Sequence, residues 1–179
     1  MIKKMTKLLK KRIPGYSLVE VSMVLLITGI ITAGVLKGRS LINSARLDAV
    51  VSDIRSLQLA YSQYIDAYSS IPGNDKNISS FNQNVTAGKG DGIFCKEDAE
   101  RVFSHLQGAG LIKIDDFSHP KAGNKYLIVE IDKHPYIKLD GLSEEQITLL
   151  KTKINSSLGR TEDVKCEKGS ISVRIDQQD

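Results

Sequence analysis

Residues 16–36 read Tyr16-Ser17-Leu18-Val19-Glu20-Val21-Ser22-Met23-Val24-Leu25-Leu26-Ile27-Thr28-Gly29-Ile30-Ile31-Thr32-Ala33-Gly34-Val35-Leu36. From residue 21 to residue 36 no side chain is charged, and Ser22, Thr28 and Thr32 are the only polar interruptions. Residues 18–36 number nineteen. As a helix rising about 1.5 Å per residue, they span roughly the 30 Å of a hydrocarbon core. The stretch is expected to insert into a membrane.

The segment in front of it sets the orientation. Residues 1–15 carry Lys3, Lys4, Lys7, Lys10, Lys11 and Arg12 with no acid. Cationic residues flanking a first hydrophobic segment stay on the cytoplasmic side, so everything from about residue 40 onward is expected to be exported. Subtracting those six charges from the whole-chain +4 leaves −2 for residues 16–179. The pI of 9.0 therefore describes a basic head on a slightly acidic body, which gives a nucleic-acid partner no cationic face to bind, and none is expected. At 41% hydrophobic and 26% charged over 179 residues, the chain is neither a polytopic membrane protein nor wholly disordered.

An ordinary secretory signal ends its apolar region in small residues and loses that region on cleavage. Here Leu36 is followed by Lys37-Gly38-Arg39-Ser40, with no such site. The candidate cut lies in front of the apolar run, at Pro14-Gly15-Tyr16. Proline disfavours continued helix and glycine leaves the backbone accessible. A cut after Gly15 removes the whole basic head, keeps the hydrophobic helix and leaves Tyr16 with a free α-amine at the membrane surface.

The string Lys11-Arg12-Ile13-Pro14-Gly15-Tyr16-Ser17-Leu18-Val19-Glu20 resembles the signal of type IV prepilins and type II secretion pseudopilins: glycine, an aromatic residue, Ser or Thr, two aliphatics, then glutamate. The resemblance implies cleavage between Gly15 and Tyr16 by a dedicated inner-membrane prepilin peptidase, N-methylation of Tyr16, and Glu20 as the fifth mature residue. It further implies assembly with other pilin or pseudopilin subunits through an inner-membrane assembly platform. Tyr16 stands where the family usually has phenylalanine. Lys37 stands where it often has a proline, eight residues after an anchor glycine matched by Gly29. Both departures point to a minor or accessory member. Independently of the family, a carboxylate in a membrane helix costs roughly 2.5–3.5 kcal/mol on insertion scales, which asks for a partner. In stacked subunits the Tyr16 amine of one chain can pair with Glu20 of its neighbour. The rival reading is that Glu20 snorkels beside the leader of a simple signal anchor.

Helical spacing continues through Leu47, Val50, Val51, Ile54, Leu57, Tyr61, Tyr64, Ile65 and Tyr68, with no proline before Pro72. One helix from about residue 17 to residue 69, near 80 Å long, is expected. Its first half is apolar all round. Its second half is amphipathic, with Arg46, Asp48, Asp53, Arg55 and Asp66 toward solvent. Tyr61, Tyr64 and Tyr68 are expected to pack in a core with their hydroxyls wet.

Beyond Pro72-Gly73-Asn74-Asp75, residues 73–92 read as loop. Gly88-Lys89-Gly90-Asp91-Gly92 hints at a phosphate cradle but lacks the spacing of a P-loop. Asp75, Asn77 and Ser79 have alternate-residue oxygens without the glycine and glutamate of an EF-hand. Glu97 and Asp98 open a short helix with Ala99, Val102, Phe103 and Leu106 on its buried stripe, stopped by Gly108 and Gly110. Residues 125–131 and 136–139 read as two antiparallel strands with Pro135 in the link or at an edge. Ser143 and Gln146 form a capping box for a helix carrying Ile147, Leu150, Ile154 and Leu158, ended by Gly159. Residues 170–175 read as a last strand.

Cys95 and Cys166 are the two cysteines. In an oxidising compartment such a pair usually becomes a disulfide. It would close a loop of about 72 residues, worth roughly 4 kcal/mol on a chain-entropy model. Metal binding by the two cysteines with a histidine is the alternative, although no short ligand spacing supports it. His105, His119 and His134 belong to no nucleophile motif, so no catalytic residue, metal or cofactor is expected and the chain is not read as an enzyme.

The expected fold is α+β: a long N-terminal helix packed on a small antiparallel sheet with short helices. The expected organisation is a basic leader (1–15, removed), a transmembrane and filament-core helix (16–39), and a periplasmic or surface head (40–179) that includes the helix's second half. Before processing, the chain crosses the lipid bilayer of the inner membrane once, N-terminus inside. The expected function is a structural subunit of a type IV pilus or type II secretion pseudopilus. The alternative is a signal-anchored periplasmic binding protein that does not assemble.

Overall fold

The computed structural model describes residues 15–80, 82, 84–113, 117, 122–158 and 163–176; residues 1–14 of the basic leader and Gly159 lie outside them. The chain divides into two compact units, residues 1–42 and residues 43–179. Helix α1, Leu18–Tyr68, contributes to both and matches the single helix expected from the apolar spacing.

In the first unit, α1 shows its apolar side chains to the outside. Leu25, Leu26, Ile30, Ile31 and Leu36 are all more than half exposed. The three polar interruptions do not break this surface. The hydroxyls of Ser22, Thr28 and Thr32 donate to the carbonyls of Val19, Val24 and Thr28, each at 2.8 Å. Serine and threonine at these spacings satisfy themselves on their own helix. By length and composition the helix can cross a membrane.

In the second unit, α1 turns one face inward. Leu47, Val50, Ile54, Leu57, Tyr61 and Tyr64 are buried, in the steps of three and four that put residues on one helical face. The helix stops at Ser69, whose φ of 51° leaves the right-handed region. Pro72 follows closely, and proline disfavours helix in the residue before it. After a 3-10 turn at Ile78–Ser80 come helix α2, Lys96–Gly108, strands β1, Tyr126–Ile131, and β2, His134–Asp140, helix α3, Glu144–Leu158, and strands β3, Val164–Glu167, and β4, Ser170–Arg174. The capping box expected for α3 is present: Gln146 N–H donates to Ser143 Oγ at 3.2 Å, and Ser143 N–H to Gln146 Oε1 at 3.0 Å.

The sheet is antiparallel throughout, in the order β1-β2-β4-β3. Register builds rows of apolar side chains across its inner face. Tyr126 faces Leu139, which faces Ile171; Ile128 faces Ile137, then Val173, then Val164. All seven are buried and share one core with the inward face of α1. Helix α2 lies along β1 and α3 along β4. This is the α+β architecture expected: a long helix on a small antiparallel sheet with short helices.

Three local expectations need correction. Pro135 is not a link but part of β2, a central strand. It is tolerated because it ends the β2–β4 ladder. Ile175 N–H donates to the Pro135 carbonyl at 2.9 Å, and the reciprocal bond has no donor, so pairing starts only at Tyr136 with Arg174. The β1–β2 link is instead Asp132-Lys133, both at positive φ (55° and 67°), the signature of a type I′ hairpin. Strand β3 is the second difference, a strand beyond those expected from the sequence. The third correction is that the Tyr64 hydroxyl is not wet, since it donates to Asp75 Oδ2 at 2.8 Å in the interior.

Candidate functional site

The residues at the expected N-terminal cut, and those of the apolar run behind it, are accessible. Gly15, Tyr16 and Ser17 precede α1 without helical structure, and Tyr16 is 81% exposed. A Cβ at Gly15 would meet nothing within 4 Å, so packing does not demand glycine there. Val21 N–H donates to the Ser17 carbonyl at 3.1 Å, which makes Ser17 the N-cap and Glu20 the third helical residue. Ser-x-x-Glu is capping-box order, a start signal carried by the sequence itself. Glu20 therefore sits in the first turn, where the unpaired N–H groups of the helix favour a negative charge.

A buried hydrogen-bond network in the head is built on Asn74, just past α1. Asn74 is 1% exposed. Its Nδ2 lies 2.9 Å from Asp91 Oδ1, 3.0 Å from Asp98 Oδ2 and 3.2 Å from the Ile93 carbonyl. Its Oδ1 accepts from Gly92 N–H at 3.0 Å and its carbonyl from Gly90 N–H at 2.6 Å. Gly88 N–H goes to the Asp75 carbonyl at 2.8 Å. The glycine-rich run is thus no phosphate cradle, because these three amides are already donated inward. A Cβ at Gly88 would stand 2.3 Å from the Asn74 carbonyl carbon, which is why the loop can fold back only on a glycine there.

Asp98 is the other centre of this network, and it is fully buried. Burial alone would raise its carboxyl, but hydrogen bonds from Cys95, Asn74 and Arg101 outweigh that and hold it below the usual carboxylate range. The Cys95 N–H and thiol both lie 3.0 Å from Asp98 Oδ2. Arg101 reaches Oδ1 at 2.7 Å and donates to the Gly73 carbonyl at 3.0 Å. A buried carboxylate with this many donors is a structural anchor that fixes the start of α2 against the loop. His105, also fully buried, ties the same loop down through Nε2, 2.9 Å from the Thr86 carbonyl.

Cys95 and Cys166 are free thiols. Cys95 is the N-cap of α2, which lies along β1; Cys166 is on β3 at the opposite edge of the sheet. In this structure the two are separate thiols on different elements, and thiol titration decides whether the expected disulfide forms. Among the described residues, no group of three His, Cys, Asp or Glu side chains is placed to hold a metal ion. His119 lies outside the described residues.

No protein-family model matches the chain, and no curated protein matches it. Among solved structures, it is similar to the major type IV pilin PilA1 from Clostridium difficile, at 18% identity over 77% of this chain and 99% of that one, with a TM-score of 0.46. The functional reading accordingly rests on this chain's own residues.

Proposed function

We propose that the chain is a pilin-like structural subunit, held in a membrane by the first half of α1 and assembled into a filament through the same surface. The observation that carries this is the apolar, exposed run at residues 21–36 directly behind Glu20. Ten Val, Met, Leu and Ile side chains there are exposed. Each costs about 1.5–3 kcal/mol when left in water, so the run needs lipid or other helices around it. Lipid serves the stored subunit, and neighbouring helices serve the filament.

In this reading, prepilin peptidase cuts between Gly15 and Tyr16, the Tyr16 amine is methylated, and an inner-membrane platform adds the subunit to a pilus or secretion pseudopilus with the head outward. Glu20 sets the register. Its carboxylate is stabilised in the free subunit by the helix N-terminus and in the filament by a neighbour's Tyr16 amine. The test is Glu20→Ala in cells, scoring processing and assembly separately. The account expects normal cleavage with at least about tenfold fewer filaments; undiminished assembly removes Glu20 from the mechanism.

A further inference from the structure

Two cations follow the apolar run at once. Lys37 and Arg39 are exposed on α1, and neither has a hydrogen bond or ion pair among the described residues. Counted from Leu18, where α1 begins, they stand nineteen and twenty-one residues on. At about 1.5 Å per residue that is roughly 28–32 Å, the far edge of a hydrocarbon layer about 30 Å thick. Lipid phosphates begin at that level, and long cationic side chains reach them while their stems stay against apolar surface.

The aliphatic neighbours fit the same depth. Leu41 and Ile42 are 60% and 54% exposed and lie roughly 34–36 Å from Leu18. That is within the interfacial layer that brings a bilayer to about 40–45 Å. Exposed cations interleaved with exposed aliphatics suit a surface that is anionic above and apolar below. Topology does not account for the two cations, because they oppose the orientation that the six leader cations set.

We propose that Lys37 and Arg39 bind the phosphates of anionic phospholipids in the exported-side leaflet, with Leu41 and Ile42 seated in the interface, and so fix the depth of the stored subunit. The guanidinium of Arg39 can take a phosphate through two parallel N–H donors. A neighbouring subunit's α1 is the rival occupant, and it has few acids to offer. Asp48 is paired with Lys153 and Asp53 Oδ2 accepts from the Tyr126 hydroxyl at 2.8 Å; beyond Glu20 this leaves Asp66. The inference rests on the anchor reading, in which residues 21–36 cross the bilayer.

The test reconstitutes the full chain, leader included, into phosphatidylcholine vesicles doped with either phosphatidylglycerol or phosphatidylcholine carrying the same diazirine at headgroup level. Photo-cross-links are mapped by mass spectrometry. The phosphatidylglycerol probe should label residues 37–42 at least about fivefold more than the phosphatidylcholine probe, the factor that one nearby cation supplies. Lys37→Gln combined with Arg39→Gln should abolish that preference and leave cross-links to the cationic leader, which serve as the internal standard. Lys37→Arg combined with Arg39→Lys should keep it. Equal labelling of residues 37–42 by the two probes would overturn the proposal. So would an undiminished preference in the glutamine variant; if that variant instead lost cross-links between subunits, the two cations would belong to a neighbouring chain. Release of the protein by alkaline carbonate would sink the anchor reading and this inference with it, an outcome distinct from a chain that stays inserted without lipid preference.

Discussion

The Tyr64 hydroxyl donates to Asp75 Oδ2 at 2.8 Å with both side chains buried, joining the last turns of α1 to the loop that follows. The second carboxylate oxygen accepts the Asn77 N–H at 2.7 Å. Burial first, and then this bond, push the Tyr64 hydroxyl well above its ordinary pKa, so it remains a donor. Tyr64→Phe removes one of two partners of a buried carboxylate. The expected loss is about 1–3 kcal/mol of stability, read from urea denaturation of the purified chain. An unchanged midpoint would show that water replaces the hydroxyl at no cost.

His105 gives the head an acid sensitivity. Burial holds its pKa below the ordinary 6.5. Nε2 is engaged by Thr86, and Nδ1 has no hydrogen-bond partner among the described residues, so a second ring proton would be buried without an acceptor there. The folded pKa is lower than the unfolded one, so the unfolded chain binds more protons between the two values. Stability from this residue is therefore complete above about pH 6.5 and falls as acid is added down to the folded pKa. His105→Leu lacks that titration. Between pH 7.5 and pH 5.5 the parent should lose more unfolding free energy than the variant; parallel losses would assign the acid response to the carboxylates instead.

The thiols should differ in reactivity. Cys166 is exposed on an edge strand, whereas Cys95 is partly covered, and its hydrogen bond to Asp98 raises its pKa by disfavouring the thiolate. Protein purified without reductant should titrate two thiols per chain with Ellman's reagent, Cys166 reacting first. Finding none would restore the disulfide suggested by the exported location, and would require β3 and the start of α2 to lie elsewhere.

The parts of this molecule that were legible in the sequence are those governed by local periodicity and caps. The whole of α1, the buried stripe of α2 and the Ser143–Gln146 box of α3 follow from spacing and hydrogen-bonding chemistry within a few residues. The misses are long-range. Strand β3 is four residues long, and its two-residue turn at Lys168-Gly169, with Val164 inward and Lys165 outward, is a signal visible only once β4 is known to need a partner. Pro135 reads from sequence as a link or edge position because its tolerance inside β2 depends on where a ladder formed with β4 happens to end. The buried Asp98 and Asn74 look like ordinary surface residues until 17 to 24 positions of chain fold back on them. At the N-terminus the string around Gly15 and Glu20 carries a chemical, local signal, and the Ser17 N-cap lies within the same residues.

The central claim is that the chain sheds its cationic head and keeps its hydrophobic helix. Intact-mass and N-terminal analysis of the protein extracted from membranes tests this most directly. The account predicts a polypeptide beginning at Tyr16 with one added methyl group on its α-amine. A chain still carrying Met1 and the lysines behind it, or one trimmed past Leu36, would contradict it.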